Sequence, residues 1–155
     1  MAPTFDHKRV LVLATSSRLK AAVLVDVMLE EIALAEAATT YLEVLLPVTL
    51  PPTLPITAVP LRIASRFGVL RDVAREVLAS SQVPGAVAVV RCRSVQALLS
   101  AIEPVDRLVL VGGAGWGVRR AARGAGSDVV VVSQRSRRLA TRGIPSRPAI
   151  GQGAQ

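Results

Sequence analysis

The chain has 155 residues, 51% of them apolar and only 3% aromatic, which supports one domain with a core of Val, Leu, Ile and Ala and excludes a chain disordered throughout. Cys92 is the only cysteine, which excludes a disulfide scaffold and fits a cytoplasmic protein, and Asp6, His7, Lys8 and Arg9 precede any apolar run, so no secretory leader is expected. Residues 1–106 balance ten basic side chains with ten acids, whereas residues 107–155 hold nine arginines and one acid, Asp128; the net +8 therefore lies in the last third and favours anionic partners.

Arg9–Thr15 is a continuous apolar run ended by hydroxyl residues, the pattern of a strand buried on both faces. Ser16 and Ser17 can cap the helix expected from about Arg18 to Ala38. Ala21, Leu24, Val25, Met28, Leu29, Ile32 and Ala35 share one face of that helix; Lys20, Asp26 and Glu30 lie opposite, with Val23 and Val27 among them. Tyr41–Val48 is a second strand. The uncharged stretch Val44–Leu61 approaches the roughly 20 residues of a membrane helix. Its prolines, Pro47, Pro51, Pro52, Pro55 and Pro60, rule out a spanning helix and predict an extended apolar loop over 47–60. A helix from Leu61 or Gly68 to Ser81 leads through the turn Pro84-Gly85 to the strand Ala86–Val90. Ser94 caps a helix over Val95–Ile102, which Pro104 ends. Arg107–Val111 is a strand entering the cluster Gly112-Gly113-Ala114-Gly115-Trp116-Gly117. A short helix, Val118–Arg123, and a glycine-containing loop, 124–127, lead to a final strand, Asp128–Val132. Beyond Ser133 there is no apolar periodicity, so 134–155 reads as a flexible basic tail.

Strands alternating with helices predict a single-domain, three-layer Rossmann-like α/β fold over residues 1–133, with a parallel sheet. Ligands of such sheets bind beyond the carboxyl ends of the strands. Those ends offer Thr15, Ser16 and Ser17, then Arg91, Cys92 and Arg93, then the glycines. No carboxylate is among them, so neither an acid–base pair nor a metal site is expected; the only histidine, His7, precedes the first strand. The glycines let backbone N–H groups approach a phosphate, with a helix N-terminus behind them; they equally suit a tight turn. Arg119 and Arg123 share a helix face and either flank an anion or form a solvated exterior. Cys92 is either a small buried hydrophobe or a thiol activated by Arg91 and Arg93. Trp116 either stacks on a base or plugs the gap between its helix and the sheet. Pro52-Thr53-Leu54-Pro55 is a covering loop or a polyproline ligand.

The strand-one ending, Gln82-Val83-Pro84-Gly85, Asp106-Arg107-Leu108-Val109-Leu110-Val111-Gly112 and the last Val-rich strand together resemble the universal stress protein family over residues 8–133. The resemblance implies a five-stranded parallel sheet in the order 3-2-1-4-5, a homodimer through the last strand (128–132 here), and a stress-response role. In a subset it implies ATP bound by an Asp after strand one and the motif G-x-x-G-x9-G-[ST]. Gly112-Gly113-Ala114-Gly115 supplies G-x-x-G, but nine residues further stands Ala125, with Gly126-Ser127 one position late, and Thr15 replaces the Asp. The implied nucleotide or anion site is thus Thr15, Ser16, Ser17, Gly112, Gly113, Gly115, Gly126 and Ser127, with Arg119 and Arg123 as anion contacts, holding ATP or another adenine nucleotide weakly at best. Two functions remain open: a regulatory protein with that partial site, or a non-enzymatic interaction module. The latter would use the Pro-rich loop and the basic tail, the tail meeting an acidic partner. An enzyme of the related adenine-nucleotide-binding superfamily is disfavoured by the missing acids.

Overall fold

Val10, Leu11, Val12, Leu13 and Ala14 are all buried, because the strand they form, β1 (Lys8–Ala14), has a neighbour on each edge and helices over each face. The structure, a computed structural model, describes residues 7–16, 18–50, 53 and 61–134, the side chains of 61–66 excepted. β1 pairs in parallel with β2 (Thr40–Thr49) and β4 (Val105–Val111); β2 pairs with β3 (Gly85–Cys92), and β4 with β5 (Gly126–Val132). The sheet has five strands, all parallel, in the order β3-β2-β1-β4-β5.

Successive residues of a strand face opposite sides. Val10, Val12 and Ala14 therefore join one core with α1 (Ala21–Leu34) and α2 (Leu61–Ala79), through Leu24, Met28, Phe67 and Leu70. Leu11 and Leu13 join a second core with α3 (Val95–Ala101) and α4 (Trp116–Ala125), through Leu99, Ala122 and Ala125. Full burial of each such Leu or Val contributes about 1.5–3 kcal/mol. The α/β class and its three layers follow from this arrangement, and no helix among the described residues is long and apolar enough to cross a membrane.

Local differences from the expected elements have physical causes. α1 starts at Ala21 with Lys20 as its N-cap, so Ser16 does not cap it; the Ser16 hydroxyl accepts from the Arg18 amide at 3.1 Å instead. The buried face of α1 is Leu24, Val27, Met28 and Glu31, while Leu29 is 52% exposed. The face is rotated because Glu31 has a cation to meet. Arg107 of β4 forks onto it, Nε to Oε1 at 2.8 Å and Nη2 to Oε2 at 3.1 Å, and sends Nη1 to Asp128 of β5 at 2.6 Å. The loop expected over 124–127 does not exist: α4 runs to Ala125 and β5 begins at Gly126. A Cβ at Gly126 would lie 2.8 Å from the Leu108 Cβ, so glycine is what lets the chain turn from helix to strand without a linker.

Of the expected loop 47–60, Pro47–Thr49 belong to β2; beyond Leu50 the loop, Thr53 apart, lies outside the described residues, as does 135–155. Gln134, expected as the first residue of the tail, is fixed on the domain: its Oε1 accepts from the Lys20 amide at 2.8 Å.

Candidate functional site

β1 and β4 are adjacent, with Ala14 opposite Val111, and their chains leave towards opposite faces: β1 leads to α1, β4 to α4. This divergence opens a crevice at the carboxyl edge, the place where ligands bind in open parallel sheets. Residues 15–20, 112–115 and 133–134 border it.

The border is cross-braced. The Thr15 amide donates to the Val111 carbonyl at 2.8 Å, and its hydroxyl lies 3.0 Å from the same oxygen and in short contact with the Gly113 carbonyl. Gly112 and Gly113 adopt φ of 114° and 96°, conformations open to glycine and strained for other residues. Both amides turn towards the end of β5, donating to the Val132 carbonyl at 2.7 and 3.3 Å. A Cβ at Gly112 would also lie 2.9 Å from the Ser16 Cβ. Three strand ends are thereby tied into one rim.

What the rim presents is positive. Residues 15–20 include Arg18 and Lys20, both exposed, and none of the three border segments contains a carboxylate. α4 opens at Gly115 with no side-chain cap, so its first N–H groups and the positive end of its dipole face the rim. Arg119 folds back, its Nε donating to the Ala114 carbonyl at 3.0 Å, which places a guanidinium beside the glycine turn.

The structure divides the residues singled out in the sequence. Thr15, Ser16, Gly112, Gly113, Gly115 and Arg119 come together at the rim; Ser17 lies outside the described residues. Gly126 and Ser127 do not join them. Gly126 pairs with Val105, the first residue of β4, so both sit at the amino edge, about 20 Å away along the strand. Arg123 stands one helical turn beyond Arg119, about 6 Å further from the glycines, and does not flank the rim. Trp116 is 73% exposed and plugs no gap; Arg120 lies over its ring, 5.3 Å from the centroid. Cys92 is buried at the end of β3, and burial pushes its thiol pKa up, the direction opposite to an activated thiolate and that of a small buried hydrophobe. Among the described residues no group of three His, Cys, Asp or Glu is placed to hold a metal ion.

No family model, curated protein or solved structure matches the chain. Sequence reading missed Arg18, Lys20 and Gln134 at the rim. The pair Arg18 and Lys20 was visible as two cations just after strand one; Gln134 left no trace, because its role depends on a meeting between residues far apart in the chain.

Proposed function

We propose that this chain is a regulatory, non-catalytic binding protein of universal-stress type, with a weak site for an adenine nucleotide or another phosphate-bearing anion at the β1/β4 crevice. The observation that carries the reading is the rim itself: exposed Arg18 and Lys20 lie on one bordering segment, Arg119 and the uncapped start of α4 stand at another, and no bordering segment contains a carboxylate. An anion there gains charge-assisted hydrogen bonds without meeting a like charge. The sheet order and the glycine turn after β4 agree with the family resemblance.

The same geometry makes the site weak. The Thr15 hydroxyl and the Gly112 and Gly113 amides are already engaged by carbonyls, so they add little to a ligand. Gly126 and Ser127 are at the wrong edge to close on a triphosphate. The proposed assembly is a homodimer in the cytoplasm, paired through β5. That strand is an edge, and Val129–Val132 are only half-buried in a single chain, a hazard that pairing with a second copy removes.

The test is a thermal-shift panel of ATP, ADP, AMP and inorganic phosphate against the wild type and Lys20→Ala/Arg119→Gln. With a dissociation constant near ~1 mM, ~5 mM ATP stabilises the fold by about 1 kcal/mol, or about 3 °C. The double variant should lose the shift. Equal shifts in both proteins would remove the rim from consideration.

A further inference from the structure

We propose that the outer face of α4 is a docking surface for single-stranded nucleic acid, with Trp116 as a stacking platform for a base and Arg119, Arg120 and Arg123 as phosphate contacts. Trp116, Arg119, Arg120 and Arg123 stand at i, i+3, i+4 and i+7, which places them in one stripe along the helix. All four are exposed. None of the three arginines forms an ion pair among the described residues. Arg120 over the indole orders the ring by cation–π attraction, and 73% exposure keeps ring surface available to a base.

The charge of the fold is polarised towards this helix. α1 and α2 together carry five acids against four arginines, whereas α3 and α4 carry three arginines and no acid. A polyanion is therefore drawn to the α3/α4 side. The aromatic residue narrows the partner. A basic groove with stacking aromatics is the pattern of single-strand binders, since an unpaired base offers its face and a duplex does not. A membrane surface fits less well: an interfacial helix needs an apolar face to bury, and α4 spends Ala122 and Ala125 on the sheet.

This surface shares Arg119 with the rim but extends beyond it along α4 through Arg120 and Arg123, which do not border the rim. The experiment uses the full chain and a labelled oligothymidylate of about 20 nucleotides, followed by anisotropy and by the emission of Trp116, the only tryptophan. Binding should weaken steeply between about 50 and 200 mM salt. Trp116 emission should be quenched as the strand binds. Arg120→Gln/Arg123→Gln should weaken binding about tenfold or more and lower the salt slope by about 1.4, while the ATP thermal shift persists. Trp116→Ala should lose about tenfold, and Trp116→Phe should recover most of it. The proposal is overturned by salt-sensitive binding that leaves Trp116 emission unchanged, which would assign the affinity to the arginines of 135–147. It is equally overturned if acidic lipid vesicles shift that emission and the oligonucleotide does not. The emission change is read on the wild type, so the outcome stands even where a variant fails to fold.

Discussion

Replacing Arg107 by Met tests the buried ion network most severely. The Glu31 carboxylate is 6% exposed and takes two hydrogen bonds from the Arg107 fork; Asp128 takes a third but is 57% exposed. The substitution strands Glu31 without a cation, while Asp128 relaxes into water. Breaking a buried pair in this way costs about 3–5 kcal/mol, almost all of it desolvation of the orphaned carboxylate. A neutral pair, Glu31→Leu/Arg107→Met, removes the orphan and should return to within about 1 kcal/mol of the wild type. The pH dependence has a definite sign. In the wild type the hydrogen bonds that Arg107 donates to Glu31 hold its guanidinium pKa above the ordinary value. Its stabilisation is therefore fully present below the unfolded-state pKa and lost only as pH rises through the still higher folded value, above the working range. Urea unfolding followed by far-UV circular dichroism at neutral and mildly acidic pH measures all three proteins. A single variant within 1 kcal/mol of wild type, or a double variant worse than the single, refutes the reasoning.

Four further outcomes follow from the rim and the strands. Gly112→Ala forces a side chain into φ 114° against Ser16 and should destabilise by about 1–3 kcal/mol in the same urea assay. Thr15→Asp places a carboxylate against the Val111 and Gly113 carbonyl oxygens, so it should lower the melting temperature and fail to strengthen ATP binding; Thr15→Val should cost about 1 kcal/mol, one hydrogen bond. Cys92 should resist a thiol reagent in native protein and react fully in denaturant. Light scattering at micromolar concentration should give the mass of two chains, and a monomer there removes β5 as a pairing edge.

The fold was legible because the buried strands announce themselves. The unbroken run Val10–Ala14 and its counterpart Leu108–Val111 can be satisfied only between two helix layers, and both are buried as expected. The ends of elements were less legible. Gly124 and Gly126 read as a loop, yet Gly126 opens β5 and lets the chain pass from helix to strand close against Leu108, a use that depends on a neighbour distant in sequence. Glu31 was hidden for the same reason: nothing around it distinguishes it from exposed Glu30, and only Arg107, 76 positions away, makes its burial tolerable. In the site, the glycine turn and Thr15 were found where expected, but the sequence could not show that their polar groups satisfy each other. It also placed Gly126-Ser127 by motif spacing, and spacing cannot tell one end of a strand from the other once the preceding helix has lengthened.

Titration calorimetry of ATP into the full chain tests the central claim most directly. The rim of Arg18, Lys20 and Arg119, with Thr15 and the glycine amides already engaged, predicts a dissociation constant of about 0.1–1 mM, lost in Lys20→Ala/Arg119→Gln. A sub-micromolar constant would contradict the account by requiring an intact nucleotide clamp, and no heat at ~5 mM ATP would contradict it by leaving the crevice without a ligand.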